Sequence, residues 1–507
     1  MKKTHLRIAL FAVLSFGIMT SCDDSESNTP PVNEQPVGPN QEFFALTAGG
    51  ALLKMNANDT AAVAASVSIS NLLPGETLRA IDFRPATGQL YGISSQSRLY
   101  VINQFTGAAR AVNTTSFTTP LTGNAVGFDF NPTVDRIRIV SSSGQNLRAN
   151  PETGALAAVD GNISNSAAQL GSAAYTGNTA GSTATALYVI DHVAKTLYKQ
   201  DPPNDGVITA IGSLDLPESY AVEGGFDIAA NNDTALATAK IGTASKLLQI
   251  NLTTGKATDL GTLPTEVISI AIPTNPVAYA IDNSNNLHIF NFQDINGTIS
   301  KPITNLQAGE NIVGIDMRPA TAQLYALSSL GRLYTINMSN GAATALGSAP
   351  AVALQGTSFG FDFNPTVDRI RVVSDAGQNL RLNPIDGTLA ATDGALNPGT
   401  PQVTASAYTN NFAGSTSTLL FNIDTNTDML YTQTPPNNGT LVARGSLGAD
   451  FTGSASFDIG GLSNVAYAIL NSAAGTKIYN INTLTGGAMA VGDFPAQVRG
   501  FAIGLGF

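Results

Sequence analysis

The chain has 507 residues, 12% of them charged, with 36 acidic against 25 basic residues, a net charge of −11, one cysteine and no tryptophan. That length holds two or more cores, the acidic balance excludes a nucleic-acid partner, which selects basic surface, and a lone cysteine excludes an internal disulfide. With 49 glycines and much Asn, Thr and Ser, the composition suits short strands joined by tight turns rather than helical bundles, whose wet faces carry Lys and Glu.

Lys2, Lys3 and Arg7 flank an apolar run, Ile8 to Met19, too short for a stable membrane span, so residues 1–21 read as a signal peptide. The run ends in Met19-Thr20-Ser21-Cys22, which resembles the lipobox of bacterial lipoproteins, with Met19 where leucine is usual. The resemblance implies that Cys22 is acylated and becomes the mature N-terminus, and several acyl chains anchor stably where one is marginal. Residues 22–41 form an acidic, Pro-rich tether without apolar periodicity. Acidic residues directly behind such a cysteine resemble a surface-export signal. The expected place is therefore the cell envelope, held to the outer membrane by lipid and facing the periplasm or the exterior.

From residue 42 onward, short apolar runs alternate with Gly, Pro, Asn and Asp. Leu78–Phe83, Leu90–Ile93, Arg98–Ile102 and Ala108–Val112 are the first complete set of four predicted strands. Similar units begin near Val126, Leu170, Gly224, Val267, Ile312, Phe359, Val403, Ala455 and Val498, and no stretch sustains a helical period. Gly127 to Arg138 (GFDFNPTVDRIR) recurs letter for letter at Gly360 to Arg371, and GQNLR at Gly144–Arg148 recurs at Gly377–Arg381. Four short strands in units of about 35–45 residues are the mark of a β-propeller blade.

The predicted fold is thus all-β, ten four-stranded blades arranged as two five-bladed repeats, residues 42–272 and 277–507. Two five-bladed propellers are favoured over one ten-bladed ring because Pro273-Thr274-Asn275-Pro276 between the repeats reads as a linker. The N-terminal unit lacks a leading strand and Val498–Phe507 lacks followers, which suggests one blade shared by both ends of the chain.

An aspartate recurs in the leading strands: Asp82, Asp129, Asp227, Asp316, Asp362 and Asp458. Strand alternation sends each to the face opposite its apolar neighbours. Leading strands lie nearest a propeller axis, so these residues are candidate metal ligands in the channel, with Ca²⁺ the candidate ion. The competing reading is that each carboxylate accepts backbone N–H groups and locks neighbouring blades, which repetition favours. No cofactor is otherwise expected. A denser set, Asp129, Asn131, Asp135, Arg136, Arg138, Asn146 and Arg148, is repeated as Asp362, Asn364, Asp368, Arg369, Arg371, Asn379 and Arg381. Arg and Asp at such spacing make bidentate pairs, which would serve either a fixed strand-pinning network or a polar ligand pocket.

GFDFNPxxDRIRVVS followed by GQNLRxNP resembles the hallmark of the bacterial domain of unknown function 4394 family, the first copy reading RIRIVS where the second reads RIRVVS. The resemblance covers nearly the whole chain beyond the tether as two tandem copies. It implies a secreted or surface protein with a propeller-like repeat and brings no activity with it.

His192 and His288 lie in different repeats without metal-ligand partners and read as solvated surface residues. No GxSxG, HExxH or P-loop pattern occurs, and absence of tryptophan weakens a carbohydrate-stacking site. Asp59-Thr60-Ala61 and Asp233-Thr234-Ala235 resemble short O-glycosylation acceptors. The expected function is non-catalytic binding of a protein or small extracellular or periplasmic ligand by a lipid-anchored propeller. A metal-dependent hydrolase or lactonase using the channel carboxylates and a plain envelope scaffold are the alternatives.

Overall fold

Period-two alternation sets the strands, and one turn recipe joins many of them. Asn103 accepts the N–H groups of Phe105 and Thr106 through Oδ1 at 2.9 and 3.1 Å, and Gly107 closes the turn at φ 73°. Asn337 with Gly341 and Asn482 with Gly486 repeat it. A short polar side chain replaces the turn's missing backbone acceptors, and only glycine enters the left-handed region without strain.

The computed structural model describes residues 35–221, 224–347 and 352–507; the expected signal peptide, Cys22 and most of the expected tether lie outside the described residues. Ten antiparallel sheets follow one another along the chain, nine of four strands and one of five. We number them as blades. Blade 2 (Leu78–Phe83, Leu90–Ser94, Leu99–Ile102, Ala109–Ala111) is representative, running in order from the axis outward. The inner strands of blades 3, 4 and 5 are Val126–Asn131, Leu170–Tyr175 and Phe226–Ile228. Blade 1 takes its inner strand from Val267–Ala271, which pairs with Glu42–Thr47.

That pairing closes a first five-bladed ring. The five inner strands pack side to side in a complete cycle. A second ring closes in the same way: Val498–Ile503 pairs with Ala278–Asp282 to complete blade 6. Blades 7 to 10 have inner strands Ile312–Arg318, Phe359–Asn364, Val403–Tyr408 and Ser456–Ile459. The protein is therefore two five-bladed propellers joined through residues 273–276. The expected blade built from both ends of the chain does not form. Each ring instead recruits the strand at its own end, because that strand lies next to its own first blade and a ten-blade circuit is not needed to cover the sheet edge.

The two rings touch through an apolar seam that brings Ala86 and Ala180 of the first against Tyr279, Met338 and Leu505 of the second. Polar bonds cross it as well: Tyr279 donates to the Ala86 carbonyl at 2.9 Å, and Arg84 Nη1 to the Ala322 carbonyl at 3.2 Å. The only helical elements among the described residues are the 3₁₀ turns Pro203–Asp205 and Pro436–Asn438.

Candidate functional site

Each ring carries three buried carboxylates at its axis. Asp82, Asp129 and Asp227 present oxygens within 4.8 Å of one another, and so do Asp316, Asp362 and Asp458; none is more than 1% exposed. The inner strands can pack this tightly because the residue two before the aspartate is glycine in the GFDF blades. A Cβ on Gly127 would lie 2.6 Å from the Ala173 nitrogen, and one on Gly360 2.4 Å from Ser406 Oγ.

Every one of the six accepts a backbone N–H from the next blade. Phe130 donates to Asp82 at 2.9 Å, Tyr175 to Asp129 at 3.1 Å and Ile272 to Asp227 at 2.5 Å. In the second ring the donors are Phe363, Tyr408 and Ile503. Asp82 and Asp227 use their other oxygen on the N–H of the following residue, so both oxygens of each are engaged. Asp129 Oδ2 alone has no partner in the first trio. The remaining two inner strands carry alanine at this level, Ala174 and Ala271 in the first ring.

Burial pushes all six carboxyls up, and mutual repulsion adds to it for Asp82, Asp129, Asp316 and Asp362. Asp227 and Asp458 rise to about 7, burial prevailing over the two N–H bonds that each accepts. A trio could reach a single cation, yet most of its oxygens already face N–H groups. Calcium takes six to eight oxygen ligands, and these residues offer one uncommitted oxygen in the first ring. The geometry is that of a lock between blades.

The second set of sequence candidates resolves into two networks per ring. Asp135 lies in a hairpin at φ 51° and receives a bidentate pair from Arg84 of blade 2, at 2.9 and 2.5 Å. Arg84 is fully buried. Asn131 accepts the N–H of Thr133 to cap the same hairpin, and Arg136 donates to the Asp135 carbonyl. The other network joins blades 3 and 4. Arg138, 2% exposed, donates to Asn146 Oδ1, Asp160 Oδ2 and Asn204 Oδ1 at 2.6, 2.7 and 2.6 Å. Arg148 clamps Asp160 from the far side at 2.7 and 2.9 Å. The two guanidiniums, outweighing burial, hold the Asp160 carboxyl below the ordinary range. Arg371, Asn379, Arg381 and Asp393 reproduce this arrangement, and Arg318 with Asp368 reproduces the first. Asn364 and Arg369 keep the hairpin roles of Asn131 and Arg136.

These candidates therefore do not converge on one pocket. Asp129 and Asp362 sit on the axes, while the other residues pin strands farther out. Asp160, Asp393, Asn204, Asn437, Arg84 and Arg318 were missed, although each also stands in both copies.

Polar residues that occur in one copy only mark a different place. At the N-terminal ends of the first ring's inner strands lies a depression of about 500 Å³ lined by Arg79, His192 and Lys240 together with Asn124 and Gly224. Arg79 Nη2 donates to the carbonyls of Gly123 and Asn124 at 2.7 and 2.9 Å, and Lys240 pairs with Glu266 at 2.6 Å. The second ring has Val313, Thr425 and Asn471 at the corresponding positions. Its own axial opening, beside Arg499, Ser406 and Ser456, has about 10 Å³.

His288 is not a solvated residue as expected. It is 7% exposed, with Nε2 3.1 Å from Asp282 Oδ2, and it replaces the first ring's Leu53, as Asp282 replaces Thr47. Phe494 packs edge-on against it. The sequence around it lacks periodicity strong enough to separate a buried position from a surface one. His192 is half-buried beside Gly171 at the first ring's opening.

Comparison with curated proteins finds no match. A family profile covers residues 51–271 and again 286–502, one match for each ring, and the chain belongs to the family described as Domain of unknown function (DUF4394), in two tandem copies.

Proposed function

We propose that this protein is a non-catalytic binding module, carried on the outer membrane by lipid at Cys22 and presenting a propeller face to a protein or small ligand of the periplasm or exterior. The observation that carries this reading is that every axial carboxylate accepts a backbone N–H group from a neighbouring blade. Those residues are occupied in holding the rings together. Function is then left to loops on a rigid scaffold. The first ring's opening, with Arg79, His192 and Lys240, is the axial surface that has both room and unduplicated polar groups. Arg79 on its rim favours a ligand bearing negative charge in an otherwise acidic chain.

The test is capture from an envelope extract by the immobilised protein, beside Arg79→Val, the residue of the second ring. Retention of a partner by the natural protein and its loss in the variant supports a binding module; equal capture, or none, turns the reading to an envelope scaffold.

A metal-dependent hydrolase or lactonase is the second reading, favoured by the uncommitted Asp129 Oδ2 within its carboxylate trio. A divalent ion held there by Asp82, Asp129 and Asp227 would supply an activated water. The burial of all three leaves a substrate no approach to them. Stoichiometric metal in the purified protein would favour this reading over binding alone.

A further inference from the structure

Between the rings lies a cleft of about 460 Å³, walled by blade 2 of the first ring and by Phe412, Ala413, Gly414, Leu462 and Leu505 of the second. Its lining holds no acidic residue and one basic one, Arg110. Arg110 stands in the outer strand Ala109–Ala111, opposite Val101. It is half-buried, and among the described residues no carboxylate pairs with it. That sets it apart from Arg84, Arg98, Arg138, Arg148 and Arg318, each bonded to an Asp or Glu. Near it, Gln89 Oε1 is buried without a partner. Desolvating a guanidinium without an anion is costly.

The duplication supplies an internal control. Blade 7 matches blade 2 closely in sequence, yet it has Thr344 where blade 2 has Arg110, and Met338 where blade 2 has Gln104. Architecture has been kept in both copies, whereas Arg110 and Gln104 occur only where the cleft is. Apolar residues line the cleft beside Arg110: its cross-strand neighbour Val101, and Phe412, Leu462 and Leu505 of the second ring. The volume falls in the range of small-molecule sites, about 300–1,000 Å³, which combine apolar walls with a few polar anchors.

We infer that this cleft is a binding site for a small organic carboxylate, its anion paired with the Arg110 guanidinium and its apolar body lying against Val101, Leu462 and Leu505. A carboxylate matches the planar fork of arginine, which donates two parallel N–H bonds to it. The site takes residues from both rings, so the ligand would bridge them. It is separate from the axial opening around Arg79 and does not depend on that opening's role.

The experiment is titration calorimetry of the protein beyond the tether with hexanoate and 4-phenylbutyrate, each beside its neutral amide. The protein, Arg110→Thr and Arg79→Val are compared. Threonine is what blade 7 carries at this position, so the variant keeps the fold, and an unchanged melting temperature checks that. We expect at least one carboxylate to bind with a dissociation constant of about 1 mM or tighter. Binding should weaken at least about tenfold for its amide and in Arg110→Thr, and stay unchanged in Arg79→Val. Equal binding of acid and amide, undiminished binding by Arg110→Thr, loss in Arg79→Val, or no binding of either carboxylate would each overturn the assignment.

Discussion

The Asp129 carboxylate in blade 3 accepts the backbone N–H of Tyr175 in blade 4 at 3.1 Å, and Asp362 accepts that of Tyr408 at 3.0 Å in the second ring. One side chain thereby fixes the spacing of two inner strands that share no sheet. Propeller blades meet mainly through side chains, so a bond from side chain to backbone across the joint adds direction to an otherwise apolar contact. Concentrating three such groups on one axis brings their charges together. A single arrangement both locks the ring and makes it sensitive to protonation.

Stability should therefore fall as pH rises. The axial carboxyls have folded-state values raised above their ordinary value near 3.8, Asp227 and Asp458 to about 7. A raised group binds its proton more tightly in the folded state, so its contribution is complete below about pH 4 and is lost as pH passes through about 7. Asp160 and Asp393, held low by arginines, act oppositely, but their contribution is lost only below the ordinary carboxylate range. We expect the melting temperature to drop between pH 5 and pH 8.5. Asp129→Asn keeps the acceptor for Tyr175, removes one charge and places a donor amid the other carboxylates. It should raise the melting temperature at pH 8 and flatten the pH dependence. Calorimetric melts at several pH values check both.

Asp82→Ala should do the reverse, leaving the N–H groups of Phe83 and Phe130 buried without acceptors. Each such loss costs about 1–3 kcal/mol. Denaturant unfolding at pH 5, where the neutral acid is favoured, would measure the deletion with the least contribution from charge relief.

Metal content separates the lock from an ion site. With most axial oxygens committed to backbone N–H groups, we expect elemental analysis after dialysis against a weak chelator to give less than stoichiometric divalent metal. Excess EDTA should leave the melting temperature unchanged. One ion per ring, with a chelator-dependent fall in melting temperature, would instead make Asp82, Asp129 and Asp227 ligands.

Much of this fold is legible in the sequence, because period-two alternation and turn residues recur with the blade. GFDF, AIDF and GFDI announced the axial positions, and Pro273 to Pro276 the separation of the rings. Which strand completes which sheet was less legible, since Val267–Ala271 and Val498–Ile503 are similar apolar runs and either could serve blade 1. The candidate residues were visible as types without their partners. Arg138 was found, while Asp160, 22 residues further along, was not, because that pairing spans a hairpin whose length the pattern does not fix. Arg79 and Arg110 carried a readable signal of another sort, a difference between two otherwise matching copies.

Arg138→Ala should be among the most destabilising single changes. It leaves Asn146, Asp160 and Asn204 with acceptors turned inward and one charge-assisted bond fewer on a buried carboxylate. Breaking one side of a buried ion pair costs about 3–5 kcal/mol. Arg371→Ala should cost a similar amount in the other ring, and the two effects should add, because each network is complete within its own ring. Denaturant unfolding of both single variants and the double variant gives the answer.

Ring closure makes the sharpest demand on the fold. Val267–Ala271 carries the chain from the last blade of the first ring into its first, and it pairs with Glu42–Thr47 over four registered positions. A fragment of residues 36–272 retains that strand, and one of residues 36–262 loses it while keeping four complete blades. The longer fragment should melt cooperatively, at a lower temperature than the whole protein because Ala86 and Ala180 lose their apolar cover and Arg84 loses the Ala322 carbonyl. The shorter one exposes the edge of Glu42–Thr47, leaves Asp227 without the Ile272 donor and opens the carboxylate trio to water. It should unfold without a cooperative transition and self-associate through the bared strand. A cooperative melt from the shorter fragment would mean that apolar packing between blades suffices and that the closing strand contributes little.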